Sequence, residues 1–361
     1  MKKKTVSFAF VLTLSALLML VAFARATVDP LQQEIVTTIT LDKEPQCIAV
    51  NEQTNRVYVG AEDRLLVIDG ETDTVIAEIL PDVEVVALAV NPQTNRIYAA
   101  EYGRKVFVID GSTNQQVGEI DEGIYRQSDI AVNPVTNLVY IEDRTVVMDS
   151  YDRVVVYDGE TNTFVGAVNI RGSIEHPYIE TIGVAVNPET NRVYITWSGN
   201  NSICVSDGET YEILVTVTPS SFSRDVLVNP YTNYVYVGDV VLDGATLVEV
   251  FSDYEGTIEA IDPVNNLLYT VDYHNLYVLN GTTHEIVTSL ELDWSFSSYS
   301  DCVGVNSETD KVYLVNSDDS QIPVVFIPEF HALISTMLVL SVLAVAFFLY
   351  RRTTSEEPNR Q

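Results

Sequence analysis

The sequence has little of several residue types, and each shortage excludes a class of protein. Three cysteines in 361 residues are too few for a disulfide scaffold, so a packed core must stabilise the fold. Only 20 lysines and arginines stand against 51 aspartates and glutamates, and the formal net charge of −31 would repel DNA and RNA. No Gly-x-Ser-x-Gly, phosphate-loop or His-Glu-x-x-His motif is present, which argues against the enzyme classes that these motifs define.

A long apolar run begins close to the N-terminus. Lysines occupy positions 2–4, an apolar stretch runs from Val6 to Phe23, and the small-x-small triplet Ala24-Arg25-Ala26 follows. This order predicts a secretory signal peptide over residues 1–26. An uncleaved N-terminal anchor is the alternative.

A second apolar run lies near the C-terminus. Ala332 to Tyr350 is a stretch of 19 residues without a charge, followed by Arg351 and Arg352. A helix of this length spans the ~30 Å hydrocarbon core of a bilayer, and the arginines favour a cytoplasmic end. The sequence therefore predicts a transmembrane helix within residues 328–350, a cytoplasmic tail over 351–361 and an exported domain over 27–327. A buried core helix is the alternative.

Internal repetition determines the predicted fold. The phrase apolar-Val-Asn-Pro-x-Thr-Asn-x-apolar-Tyr occurs in seven copies, some of them loose, 33 to 54 residues apart. Each copy indicates a short buried strand, a turn whose Pro and Asn suit its backbone angles, and a β-branched strand. The first polar residues, here called the anchors, are Asn51, Asn91, Asn133, Asn187, Asn229, Asp262 and Asn306, and the tyrosines are Tyr58, Tyr98, Tyr140, Tyr194, Tyr236, Tyr269 and Tyr313.

A second turn follows the tyrosine strand in six copies, and it predicts a hairpin. It is Asp69-Gly70, Asp110-Gly111, Asp158-Gly159, Asp207-Gly208, Asp243-Gly244 and Asn280-Gly281. The unit is thus four antiparallel strands in roughly 42 residues, the size of a propeller blade. The seventh copy lacks a fourth strand, and residues 34–41 match the missing strand in position and pattern. We expect an all-β, seven-bladed β-propeller whose ring is closed by this N-terminal strand.

These repeats resemble the YVTN-type β-propeller repeats of archaeal and bacterial surface-layer proteins. The resemblance covers about residues 34–327 and rests on the phrase with its Tyr and on the Asp-Gly that follows. The residues after the Tyr vary, so the tetrad that gives the family its name is not kept. The resemblance implies an extracellular structural, adhesion or recognition unit without assigned catalysis.

The C-terminus resembles the PEF-type sorting tails of exported archaeal proteins. Ile327-Pro328-Glu329-Phe330, the apolar span and the two arginines carry this resemblance. It implies processing by a membrane-embedded archaeosortase. A permanent anchor is the alternative, because the tail beyond the arginines is longer than usual for such signals.

Acidic residues precede the anchors by three to seven positions in all seven copies. We expect them at the mouth of the central channel, where the inner strands begin and where loop length varies most between blades. Carboxylates that converge there would bind Ca²⁺ or a cationic ligand, and an ordinary solvated acidic rim is the alternative. The residues are Glu44, Glu84, Asp129, Glu180, Asp225, Glu259 and Asp301.

Enzymatic function is not expected. Propellers that hold copper or haem need several inward histidines, whereas His176, His274, His284 and His331 all lie off the predicted inner strands. The two tryptophans are too few for a quinone-dependent propeller. A cation-dependent, lactonase-like hydrolase acting at the acidic mouth is the alternative, and no other cofactor is predicted.

Two weaker patterns concern covalent modification. Cys47 and Cys302 occupy matching positions in blades 1 and 7, where a disulfide would lock the ring, although two buried thiols fit the pattern as well. Asn200 and Asn280 begin Asn-x-Ser/Thr sequons and are candidate glycosylation sites. The predicted partners are the membrane through the C-terminal helix and other envelope proteins or glycans.

Overall fold

The computed structural model describes residues 34–103, 105–121, 129–143, 153–170, 181–197, 201–220, 225–252, 254–296 and 302–327. The predicted signal peptide and the predicted transmembrane segment lie outside these residues. Within the described ranges, no helix is both long enough and apolar enough to cross a membrane. The one helix among them is a 3₁₀ turn, Glu52–Thr54, in the first anchor turn.

The described chain forms seven four-stranded antiparallel sheets, which are the seven blades. Blade 1 contains β2 (Pro45–Asn51), β3 (Arg56–Ala61), β4 (Arg64–Asp69) and β5 (Thr74–Ile79), and blade 2 contains β6 (Val85–Asn91), β7 (Arg96–Glu101), β8 (Val106–Asp110) and β9 (Gln115–Ile120). Blade 3 contains β10 (Ile130–Asn133), β11 (Leu138–Asp143), β12 (Arg153–Asp158) and β13 (Thr163–Asn169), and blade 4 contains β14 (Thr181–Asn187), β15 (Arg192–Trp197), β16 (Ser202–Asp207) and β17 (Ile213–Val217). Blade 5 contains β18 (Val226–Asn229), β19 (Tyr234–Val237), β20 (Val240–Asp243) and β21 (Glu249–Ser252), and blade 6 contains β22 (Thr257–Asp262), β23 (Leu267–Val271), β24 (Asn275–Asn280) and β25 (Ile286–Glu291).

Blade 7 joins the two ends of the described chain. It contains β26 (Val303–Asn306), β27 (Lys311–Leu314) and β28 (Gln321–Phe326), and its outermost strand is β1 (Glu34–Thr40) from the N-terminal end. β1 pairs antiparallel with β28, with Ile39 opposite Ile322. The predicted seven blades and the predicted closure by an N-terminal strand are both confirmed.

The core lies between neighbouring blades rather than in one central mass. β3, β4, β7 and β8 are buried along most of their length because each blade is covered on both faces, which accounts for their near-continuous apolar sequences. Separate clusters of buried side chains fill the interfaces between blades 1 and 2, 2 and 3, 3 and 4, 4 and 5, and 5 and 6. The outermost strand of each blade, such as β5, is mostly exposed.

The anchor asparagines tie one blade to the next. In six blades the fifth residue of the anchor turn is an asparagine with a left-handed backbone, such as Asn95 at φ 52°. In five of them its side-chain oxygen accepts a hydrogen bond from the anchor of the preceding blade. The Nδ2–Oδ1 pairs are Asn51–Asn95, Asn91–Asn137, Asn133–Asn191, Asn187–Asn233 and Asn306–Asn55, at 2.8 to 2.9 Å.

The tyrosine of the phrase makes a second link between blades. Each of the seven rings is buried, and four of them donate a hydrogen bond to the carbonyl oxygen of the turn glycine in the next blade. Burial raises the pKa of Tyr98 to about 12, so the hydroxyl stays a donor at neutral pH. The four bonds are Tyr98–Gly159, Tyr140–Gly208, Tyr194–Gly244 and Tyr313–Gly70, at 3.2 to 3.4 Å.

The glycine of the Asp-Gly turn is required by close packing and not by its own backbone angle. A Cβ atom at Gly70 would lie 2.0 Å from the side-chain oxygen of Asn55. The left-handed residue of this turn is instead the fourth after the aspartate, for example Asp73 at φ 53°. The turn is therefore longer than the two-residue hairpin loop that Asp-Gly suggests. Counted from the aspartate, its fifth residue is the left-handed one, and this residue packs towards the preceding blade.

The structure gives no support to the predicted disulfide between Cys47 and Cys302, which stays a prediction. Both residues are buried thiols in the structure, as is Cys204. The sulfur of Cys47 contacts the carbonyl oxygen of Val85 in blade 2 at 3.5 Å, while that of Cys302 contacts Glu259 Oε2 in blade 6 at 3.2 Å. The two sulfurs thus contact blades on opposite sides of the seam that they would have to cross.

Candidate functional site: the channel mouth

A cavity of about 260 Å³ lies on the axis of the ring, between the inner strands of blades 2 to 6. Most of the residues that line it are aliphatic and come from β10, β14 and β18, but the surface presented to the cavity is more polar than apolar. Asp129, Asp225 and Glu259 are the carboxylates in this wall, and none of the described residues that line it is a lysine or arginine. Three of the seven predicted acids therefore meet at one opening.

Two of these carboxylates also hold neighbouring blades together. Asp129 accepts a hydrogen bond from the backbone N–H of Ile130 at 2.7 Å and another from that of Val184, in blade 4, at 2.7 Å. Glu259 accepts one from the backbone N–H of Cys302, in blade 7, at 3.3 Å. These contacts join blade 3 to blade 4 and blade 6 to blade 7 beside the mouth.

The other predicted acids are placed differently. Glu44 and Glu84 are exposed on the rim and do not line the cavity, and Glu84 accepts a hydrogen bond from Gln46 of blade 1 at 3.3 Å. Glu180 and Asp301 lie outside the described residues. The complete seven-membered set of acids thus stays a prediction.

The rim of blade 1 differs from the cavity because its charges are mixed. Asp63 pairs with Arg64 at 2.8 Å and with Lys43 at 3.6 Å. The hydrogen bond from Arg64 is the main reason that the pKa of Asp63 lies below its ordinary value. Among the described residues, this rim therefore carries charges of both signs, whereas the charged residues that line the cavity are all acidic.

The chemistry available in the cavity is the binding of positive charge. Carboxylate and carbonyl oxygens suit an ammonium or guanidinium group, or a hard cation such as Ca²⁺. Across the described ranges, no three His, Cys, Asp or Glu side chains are grouped in a way that could hold a metal ion. The predicted Ca²⁺ site, which includes Glu180 and Asp301, stays a prediction.

Sequence reasoning missed the residues that link one blade to the next. The phrase predicts a turn, yet its first Asn, its second Asn and its Tyr all form hydrogen bonds to another blade. A detectable signal was present: a turn needs one or two Asn residues, but it does not need a buried Tyr at a fixed distance in all seven copies.

The structure describes one of the two candidate glycosylation sites. Asn200 lies outside the described residues. Asn280 is partly buried, and its side-chain oxygen accepts hydrogen bonds from the backbone N–H groups of Thr282 and Thr283, each at 2.9 Å. Glycosylation at both positions stays a prediction.

Seven sheets in a closed ring around an axial cavity define the protein as a seven-bladed β-propeller, and known structures share this fold. A chain of the Mitotic Checkpoint Complex crystal structure aligns with a TM-score of 0.67 at 12% identity, over 84% of this chain and 94% of that one. The β-propeller domain of Cps50 (Swd1) from Myceliophteria thermophila aligns with a TM-score of 0.65 at 13% identity, over 82% and 100%. At these identities the similarity concerns the fold alone. No protein-family model and no curated protein matches the sequence.

Proposed function

We propose that the protein is a non-enzymatic recognition module of the cell surface that binds a positively charged segment of a partner protein at its channel mouth. The observation that carries this proposal is the convergence of Asp129, Asp225 and Glu259 on one axial cavity lined by residues of five blades. A lysine or arginine side chain matches such a site, since its stem is apolar and its head is cationic.

Protein partners are also in keeping with the fold. One of the similar propellers belongs to a complex, the Mitotic Checkpoint Complex. A rigid ring with loops of varied length at one face suits recognition, because the loops can differ while the scaffold does not. A structural or adhesion role in the cell envelope would use the same contacts between neighbouring molecules.

The surface location is proposed from the ends of the chain. The signal-peptide pattern at residues 1–26, the apolar span from Ala332 to Tyr350 and the arginines after it support export with a C-terminal anchor. The resemblances to YVTN-type surface-layer repeats and to PEF-type tails agree with this topology, and the second adds archaeosortase processing to the proposal.

The test uses a fluorescent oligolysine peptide as the cationic probe. The double variant Asp225→Asn/Glu259→Gln removes two charges from the cavity while it keeps the shape of both side chains. Loss of two partly enclosed ion pairs weakens binding by roughly tenfold. The matched control, Glu44→Gln/Glu84→Gln, removes two charges from the rim outside the cavity and should bind like the parent protein. Equal weakening in both variants would show that only the net charge attracts the peptide.

Calcium is the second proposed ligand of the mouth, and it is the cofactor that a lactonase-like hydrolase would need. Oxygen ligands from several blades suit this cation, and its binding would stabilise the closed ring. Thermal unfolding with and without millimolar Ca²⁺ tests this: a rise in Tm that the Asp225→Asn/Glu259→Gln variant lacks supports the site. An unchanged Tm in the parent protein rejects both calcium and the hydrolase.

A further inference from the structure

The links between blades are incomplete at the seam between blades 5 and 6. By the pattern of the other blades, Asn229 should donate to Asn266, and the hydroxyl of Tyr236 should reach the turn glycine of blade 6. Neither bond is made: Nδ2 of Asn229, Oδ1 of Asn266 and the hydroxyl of Tyr236 are buried and have no protein partner. Asn229 and Tyr236 are both fully buried, so their polar groups lose hydration without forming the two bonds that join blades 2 and 3, 3 and 4, 4 and 5, and 7 and 1.

The same seam has a smaller apolar core than four of the other six seams. Among the described residues, six buried side chains form the cluster between blades 5 and 6. The clusters between blades 1 and 2, 2 and 3, 3 and 4, and 4 and 5 contain 11, 12, 10 and 9. Since burial of apolar surface is the main attraction between blades, this seam costs less to separate than those four.

A buried histidine lies in this weak seam. His284 is the left-handed residue of the Asn280-Gly281 turn in blade 6, at φ 60°, and it is 7% exposed. Its ring stacks on Phe251 of blade 5 with centroids 4.6 Å apart, and it lies against the rings of Tyr234 and Tyr236. Its Nε2 atom is also buried without a protein partner.

The surroundings of His284 oppose a positive charge on its ring. The titratable groups that face it are Tyr234 and Tyr236 on β19, and burial raises the pKa of Tyr236, so that hydroxyl is neutral at physiological pH. The nearest acidic residues along β21 and its own turn, Glu249 and Glu285, are exposed. Burial alone lowers the pKa of His284, with no contribution from a carboxylate.

We propose that the ring opens at the seam between blades 5 and 6, and that protonation of His284 drives the opening. The imidazolium cannot be solvated in the closed seam, but it is solvated once the blades separate. The closed seam therefore has its full stability above the ordinary pKa of histidine, near 6.5, and loses stability as the pH falls below that value.

Opening at this place alters the channel mouth. Asp225 immediately precedes β18 of blade 5 and Glu259 lies on β22 of blade 6, so the two cavity carboxylates flank this seam. Separation of the blades moves them apart, which would release a cationic partner in acid. This consequence rests on the proposed function, whereas the opening itself does not.

Hydrogen exchange measured by mass spectrometry tests the opening without any ligand. After correction for intrinsic rates, exchange in residues 234–251 and 267–286 should rise on the order of tenfold between about pH 7.5 and about pH 5.5. The seam between blades 1 and 2, which has an intact Asn51–Asn95 bond, should change much less. Equal protection at both seams and at both pH values overturns the proposal.

Two variants show whether His284 is the trigger. His284→Leu should abolish the extra exchange in acid, because Leu247 occupies the same left-handed turn position in blade 5 at φ 58°. His274→Gln removes an exposed histidine at the other face and should keep the acid response. If His284→Leu does not fold, deuterium exchange at the imidazole C2 carbon of the parent protein gives the pKa directly. A value for His284 at or above 6.5 would refute the mechanism, as would a His284→Leu protein that opens in acid like the parent.

Discussion

At the scale of single residues, four anchor asparagines form hydrogen bonds both within their own turn and to the next blade: Asn91, Asn133, Asn187 and Asn306. In Asn91, Oδ1 accepts hydrogen bonds from the backbone N–H groups of Gln93 and Thr94 within its own turn, and Nδ2 donates to Asn137 of the next blade. One residue therefore shapes the turn and attaches the blade. This dual use explains why asparagine, and not aspartate or serine, occupies the position in six of seven copies: a carboxylate only accepts, and a hydroxyl offers a single atom, whereas the amide has separate donor and acceptor atoms.

Replacement of Asn91 by alanine should show the value of the link between blades. Asn229 is the matched control, because its Oδ1 makes the same turn bonds while its Nδ2 bonds to none of the residues that the structure describes. We expect Asn91→Ala to lower the free energy of unfolding by about 1 kcal/mol more than Asn229→Ala does, as is typical of a net buried hydrogen bond. Urea unfolding measures both. Equal losses would mean that the bonds between blades contribute little.

The aspartate of the second turn should make stability depend on pH in acid. The backbone N–H of Thr161 is the main reason that the pKa of Asp158 lies below its ordinary value of 3.8. A carboxyl whose pKa is lowered by folding stabilises the protein above its unfolded pKa and loses that contribution as the pH falls through the folded value. The sequence contains a neutral equivalent, Asn280, which accepts the same two turn bonds.

Asp158→Asn should therefore flatten the acid part of the stability curve. The parent protein and the variant are unfolded by urea at a series of pH values between about 6 and about 3. The advantage of the parent protein should shrink progressively below about pH 4, because the variant has no carboxyl to protonate. A difference that is independent of pH would show that Asp158 titrates normally in the folded ring.

The element on which the ring depends is β1, since it is the strand that links the first and last parts of the described chain. Ile39 is 8% exposed and packs in the cluster that joins blades 6, 7 and 1, whereas Val36 on the same strand is 49% exposed. The strand thus combines hydrogen bonds to β28 with one buried apolar side chain, Ile39, which holds its register.

Truncation of these two side chains separates burial from strand pairing. Ile39→Ala should destabilise the protein by about 2–4 kcal/mol, the usual cost of emptying a buried aliphatic site, while Val36→Ala should cost about 0.5 kcal/mol or less. Denaturant unfolding, together with limited proteolysis at the N-terminal strand, compares them. Similar losses for the two variants would place β1 outside the cooperative unit and contradict ring closure by this strand.

The sequence predicts elements well where one local pattern determines them. The seven phrases predicted seven inner hairpins, and the missing fourth strand of blade 7 predicted the role of β1. Contacts between blades were not predictable in the same way, because they depend on how far one blade lies from the next. Cys47 and Cys302 illustrate this limit: their matching positions suggested a disulfide, but their sulfurs contact blades 2 and 6.

The sequence predicts that the mouth is acidic but not which acids line the cavity. The count of acids before the anchors indicated an acidic mouth, and Asp129, Asp225 and Glu259 do line the cavity. Glu44 and Glu84 lie on the rim instead, although they also precede their anchors. The wall acids lie three or four positions before their anchors and the rim acids lie seven before theirs, so a window of three to seven positions cannot separate the two groups.

The whole molecule is a strongly acidic ring that concentrates part of its charge on its axis. The formal net charge of −31 attracts cationic partners from a distance, and the axial cavity gives them a defined place to bind. Binding should therefore weaken as salt is added, as long-range attraction between exposed charges does. The seam between blades 5 and 6 lies beside this cavity, so its opening in acid would make binding at the cavity depend on pH.

The most direct test is a crystal structure of residues 27–327 with bound oligolysine. The account predicts a lysine side chain in the axial cavity, with its ammonium group within roughly 4 Å of the carboxylates of Asp225 and Glu259. A peptide seated on the outer strands or on the face of the anchor turns, with the cavity unoccupied, would contradict the claim that the channel mouth is the recognition site.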